Sequence, residues 1–177
     1  MRWLWIDQII ELEPRKRLVA IKNVSLAEEY LHDHFPPGDG REALPVVPAS
    51  LLIEGMAQTA GILVGSASNF SHKVILAKIV TARFDHEVFP GQTVRYEARL
   101  ERLDSAGAST TGTVSYRPSG SGASAGSWLE LGSVSLLFSH VGKSLSGLAV
   151  PEHNFVFGEH LNVLLQTAGL EDLKLKK

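Results

Sequence analysis

Residues 50–66 read Ser50-Leu-Leu-Ile-Glu-Gly-Met-Ala-Gln-Thr-Ala-Gly-Ile-Leu-Val-Gly-Ser66. Wound into a helix, this run places leucine, isoleucine, methionine and alanine on nearly every side, with glycines spaced among them. Such a helix is roughly 25 Å long, and one that is apolar all round belongs in a protein core or in a bilayer. A bilayer span needs about 20 apolar residues. This run carries Glu54, Gln58 and Thr59 and follows two prolines, Pro45 and Pro48, which argues for a core.

On the C-terminal side the pattern changes to period two after His72. Val74–Arg83, Thr93–Leu103, Ser109–Arg117 and Ser127–His140 alternate valine, isoleucine, threonine, tyrosine and phenylalanine with polar residues, which predicts four strands. Pro90-Gly91 separates the first two, and the Gly/Ser/Ala tract Ser119–Ser127 predicts a flexible tip before the last. On the N-terminal side, residues 3–13 alternate up to a charged turn at Glu13-Pro14-Arg15-Lys16, and Leu18–Val24 reads as a β-branched strand. His32 to Pro48 holds four prolines and two glycines and predicts irregular structure. Strands, one buried helix and then a run of antiparallel strands imply an α+β fold, one antiparallel sheet wrapped around a single long helix. The expected division is a domain over 1–140 and a C-terminal extension over 141–177. In that extension Leu161, Leu164, Leu165 and Ala168 have helical spacing, with Gly169 as a stop.

The chain has 177 residues, 44% hydrophobic and 20% charged, with a formal net charge of −2. That composition is ordinary for a globular domain and offers no broad basic field, so nucleic acid is a poor partner. The absence of cysteine excludes a disulfide framework, a thiolate zinc site and a cysteine nucleophile. The apolar run at Trp3–Ile6 is too short for a signal-peptide core, so the expected location is the cytoplasm.

Between Glu42 and His72 the one strongly ionisable side chain is Glu54, in the most apolar part of the chain. A carboxylate there must pair, reach a cavity or hold its proton. It either serves as an acid or sits solvated on the helix surface. His34, in the Pro-rich loop, suits proton abstraction, although a lone loop histidine is more often a packing or surface residue. His32-Asp33-His34 lacks a third ligand for a metal site. Ser50 lacks a nucleophile elbow and reads as the helix N-cap.

His34-Phe35-Pro36, Pro45-Val46-Val47-Pro48 and Leu52-Ile53-Glu54-Gly55-Met56-Ala57-Gln58 together resemble the motif His-Phe-Pro-Gly-x-Pro-x-x-Pro-Gly-Val-Leu-x-x-Glu-Ala-Met-Ala-Gln of the hot-dog 3-hydroxyacyl-[acyl-carrier-protein] dehydratases. Lys22-Asn23-Val24-Ser25, Ala82-Arg83-Phe84 and Val88-Phe89-Pro90-Gly91 resemble further segments of that family. The resemblance implies a hot-dog fold, a homodimer or dimer-based oligomer, and an acyl carrier protein with a phosphopantetheine-linked acyl chain as partner. It implies no metal or redox cofactor. His34 would take the C2 proton, Glu54 would protonate or orient the departing hydroxyl, and the N–H of Ala49 would hold the thioester oxygen. Phe35, Pro48 and Gln58 would line the substrate site. The sequence departs from the family at Ala49 and Asp33, both glycine there, and at Gly38–Ala43, an apparent insertion. A hot-dog acyl thioesterase and a non-catalytic acyl-chain or carrier binder remain as rivals.

Overall fold

The run after Pro48 forms one helix, and everything else is arranged around it. The computed structural model describes residues 4–33, 35–119, 126–141, 144–145, 148–149 and 158–173. The chain enters through β1 (Gln8–Glu13) and β2 (Arg17–Asn23), passes a short helix α1 (Glu29–Asp33) and reaches α2 (Ala49–Ser66). Four long strands follow: β3 (Lys73–Phe84), β4 (Thr93–Leu103), β5 (Gly107–Arg117) and β6 (Leu129–Val141). Ser144–Leu145 and Leu148–Ala149 form a separate two-stranded ladder, and α3 covers Glu159–Thr167.

All six long strands make one antiparallel sheet in the order β1-β2-β4-β5-β6-β3. The expected α+β hot-dog architecture is present. α2 lies on the sheet's inner face, where alternate residues of β4, Val94, Tyr96 and Ala98, point into the core. From Gly55 to Ser66 every residue of α2 is buried, which is why its apolar surface has no wet side. Its two buried hydroxyls are satisfied within the helix: Thr59 Oγ1 donates to the Gly55 carbonyl at 2.7 Å and Ser66 Oγ to the Leu63 carbonyl at 2.7 Å. Self-pairing of this kind avoids the cost of burying an unpaired hydroxyl.

α3 packs its leucines into the same core. Leu161, Leu164 and Leu165 are buried together with Ile6 and Ile9, over the β1 side of the sheet. Gly169, at φ +69°, supplies the left-handed conformation that ends the segment.

Two expectations change. Ser50 is not the N-cap: Pro48 holds that place in extended backbone (φ −56°, ψ 135°), no side chain caps the helix, and Ser50 lies exposed within the first turn. Proline cannot continue a helix backward, so the turn closes on the Pro48 carbonyl, which accepts from Leu51 at 2.9 Å and Leu52 at 3.3 Å. His32 and Asp33 end α1 instead of opening an irregular loop. Five residues are too few to show a helical period. The expected flexible tip falls mainly on residues 120–125, outside the described residues.

The apparent insertion folds on itself. Gly38 and Arg41 exchange main-chain hydrogen bonds (3.2 and 2.9 Å) around Asp39-Gly40, both at positive φ (50° and 76°), so the added residues close a tight turn.

Candidate active site

The first turn of α2 presents two main-chain donors. Since Leu51 and Leu52 both turn to the Pro48 carbonyl, the N–H groups of Ala49 and Ser50 have no acceptor among the described residues. They lie at the positive end of the helix dipole, a setting that favours an anion or a developing oxyanion. Ala49 is exposed and Pro48 half-buried.

Five residues on, about 7.5 Å along the axis, stands Glu54. It is half-buried, and its Oε1 accepts a hydrogen bond from Gln58 Nε2 at 2.8 Å, one helical turn further in. Gln58 is 5% exposed. Its own oxygen, Oε1, accepts the main-chain N–H of Trp5 at 2.9 Å. The chain before β1 therefore reaches over α2 and holds the amide that holds the carboxyl.

Behind Glu54 the helix touches the sheet very closely. A Cβ at Gly55 would lie 2.5 Å from Tyr96 Oη and 2.7 Å from Cε2, and closer still to Cζ. The Tyr96 ring occupies the space an alanine side chain would need. Burial, aided by the charge of Asp7, pushes the Tyr96 phenol well above its ordinary value of 10, so it remains a neutral hydroxyl. The family motif has alanine where this chain has Gly55.

A second polar cluster joins β2 to the residues just before β1 and α1. Lys22 Nζ bridges Glu28 Oε1 (2.7 Å) and Asp7 Oδ1 (3.1 Å), and Asp7 Oδ2 accepts the N–H of Asn23 at 2.7 Å. Burial alone would lower the Lys22 pKa, but Glu28 and Asp7 outweigh it and the net displacement is upward. Tyr30, on α1, is pushed well above 10 by burial and then by Glu28, and its ring meets Trp5 edge-on at 5.1 Å and 68°.

The structure places Ala49, Glu54 and Gln58 along the first turns of α2, with Pro48 as its N-cap. Phe35 is 48% exposed, and its carbonyl accepts the N–H of Leu44 at 3.1 Å. Val47 N–H donates to the Val88 carbonyl at 2.8 Å, tying the Pro45–Pro48 segment to the Val88–Gly91 motif. His34 and the Asp33 side chain lie outside the described residues. Trp5 and Tyr96 are the neighbours that sequence reading missed. Trp5 acts through its main chain and leaves no sequence signal, whereas the glycine at 55 was a faint sign of Tyr96. Three further histidines meet other rings: His72 stacks on His140 at 5.2 Å, and His86 tilts against Tyr116 at 6.3 Å.

A family profile described as the FabA-like domain matches residues 1–122, more than half of the chain. The chain belongs to the FabA-like family. A curated relative of this FabA-like chain, from Ruminiclostridium cellulolyticum, is named 3-hydroxyacyl-[acyl-carrier-protein] dehydratase FabZ; the two are 37% identical over 99 residues, 55% of this chain and 66% of that protein. A protein of the same name from Chloroflexus aggregans is 40% identical over 102 residues, 57% of this chain and 67% of its own length. The FabA-like chain thus spans about two thirds of such relatives, just under that share for the first. Among solved structures, a chain of the dehydratase heterocomplex ApeI:P from Xenorhabdus doucetiae superposes with TM-score 0.55 at 18% identity, covering 79% of this chain and 84% of that one. A hypothetical thioesterase protein with coenzyme A from Streptococcus pneumoniae gives TM-score 0.55 at 7% identity, covering 76% and 85%. At such identities the likeness is one of hot-dog fold alone. Among the described residues no helix is long and apolar enough to cross a membrane.

Proposed function

We propose that this chain dehydrates 3-hydroxyacyl thioesters, carried on the phosphopantetheine arm of an acyl carrier protein, to trans-2-enoyl thioesters in fatty-acid or related lipid or polyketide synthesis. The observation that carries the reading is the Glu54 carboxyl, fixed by Gln58 on an otherwise uncharged buried helix whose first N–H groups lack acceptors among the described residues. One group can give a proton and the other can hold an oxygen that gains charge. The names of the 37–40% identical relatives support the same chemistry.

In this reading His34, by its place in the His-Phe-Pro motif, removes the C2 proton. Glu54 protonates the C3 hydroxyl, which departs as water as the C2–C3 double bond forms. The proton held on His34 then returns to Glu54 through solvent, leaving the enzyme unchanged. Ala49 N–H receives the thioester oxygen, with Pro48, Phe35 and Gln58 around the reacting carbons. Each proton transfer contributes about 10²–10⁴-fold.

A second copy of the chain would complete the assembly. β3 is an edge strand paired with β6 alone, and Ala77–Arg83 are exposed, including Ile79 at 45% and Val80 at 48%. An unpaired edge with apolar residues invites antiparallel pairing with another β3. A cytoplasmic setting goes with this reading.

The test is incubation with a 3-hydroxyacyl carrier thioester, followed by mass. Enoyl thioester is expected; free acid would replace the reading with a thioesterase, and bound, unchanged substrate would replace it with a binding protein. Glu54→Gln and His34→Ala should each lower turnover about 10²–10⁴-fold with the melting temperature kept. Near-normal turnover in either would remove that residue's role.

A further inference from the structure

The amide of Gln58 has two ends, and its orientation decides what Glu54 meets. A main-chain N–H can only donate, so the Gln58 atom 2.9 Å from Trp5 N is the oxygen, and the NH₂ group is the end that faces Glu54 at 2.8 Å. With the NH₂ donating to Glu54 Oε1, that oxygen is an acceptor, and a proton on the carboxyl belongs on Oε2. Reversed, the amide would set its oxygen against Glu54 Oε1, and the acid's proton would be drawn to the inner oxygen and held there.

We propose that the main-chain N–H of Trp5 is a positioning group for catalysis: by fixing the Gln58 amide it confines the transferable proton of Glu54 to Oε2. The proposal deepens the dehydratase reading and rests on it. The donor is well held. Ile6, next along the chain, is 1% exposed in the core, the Trp5 ring abuts Tyr30, and Asp7 N–H donates to the Ile21 carbonyl at 2.8 Å. Trp5 therefore enters the site as part of a strand lead-in anchored by its own ring and by the two residues that follow it. Gln58 is buried and cannot exchange this partner for bulk water without moving the helix or the lead-in.

The experiment replaces the Leu4–Trp5 amide with an ester by semisynthesis, which deletes the N–H and keeps the indole. A genetically encoded companion, Trp5→Pro, deletes the same N–H, and Trp5→Phe keeps it. Turnover of a 3-hydroxyacyl carrier thioester should fall about 10- to 100-fold in kcat for the ester, the scale of a small misplacement of a reacting group, while KM stays within about threefold. Trp5→Phe should retain kcat within about threefold. In a Gln58→Leu background the ester should produce no further loss, because the amide it orients is gone. A merely structural role would lower both backgrounds alike and would overturn the proposal, as would an ester variant with wild-type kcat. Absence of dehydration in the unmodified protein would instead overturn the dehydratase reading itself.

Discussion

Gly55→Ala poses helix propensity against packing, and the two disagree in sign. In a helix interior alanine is favoured over glycine by about 1 kcal/mol, so propensity alone forecasts a more stable protein. The new methyl, however, would sit 2.5 Å from Tyr96 Oη and 2.7 Å from Cε2, where ordinary contact begins near 3.4 Å. The shortfall approaches about 0.9 Å, too much for neighbours that can yield only by tenths. Tyr96 is 2% exposed and its ring is rigid, so the ring or the helix must shift. Overpacking of this kind costs about 1–3 kcal/mol. With several ring atoms involved, the upper part of that range applies, and about 1–2 kcal/mol of net destabilisation survives the propensity gain. For a chain of this length that is a fall of about 2–8 °C in Tm, readable by thermal and urea unfolding. Tyr96→Phe should not rescue it, because the ring carbons remain. In a Tyr96→Val background, with the ring removed, Gly55→Ala should become stabilising by about 1 kcal/mol. A Gly55→Ala protein as stable as its parent would refute the contact between this ring and the helix.

Leu165→Ala removes a fully buried side chain from α3 and should cost about 2–5 kcal/mol in a single cooperative transition; a loss under 0.5 kcal/mol, or a separate early transition, would show α3 unfolding apart from the core. Glu97 responds to acid with a definite sign. Burial pushes its pKa up, but Arg95, Arg17 and Arg99 outweigh that and hold it below 4.5, so its stabilising effect is present above the unfolded value and fades as pH falls through the folded one. The stability gap between wild type and Glu97→Gln, no more than about 1 kcal/mol for pairs this open to solvent, should hold from pH 7 to 5 and close below about pH 4.5. Urea midpoints that run parallel down to pH 3 would contradict it.

Most of the architecture could be read from residue order because its elements repeat themselves. α2 announces itself through seventeen residues with one charge, and β4 through the alternation that sends Val94, Tyr96 and Ala98 inward. What repeats nothing was missed. α1 has five residues, and the helix start after Pro48 depends on where a carbonyl points, not on the hydroxyl of Ser50. Of the candidate site, Glu54 stood out because a carboxyl in an apolar run must have a reason. The alanine-sized gap at Gly55 becomes meaningful only once a ring from β4 is seen to fill it.

The hydrogen bond from the Trp5 backbone to Gln58 has a consequence for how such a protein drifts. Because the donor belongs to the peptide unit, nineteen of the twenty amino acids could stand at that position and still offer it. Alanine scanning would report on the indole and pass over the donor, and a comparison of homologous sequences would find a position free to vary in everything except proline. A tether of this kind is inherited with the path of the chain rather than with its letters.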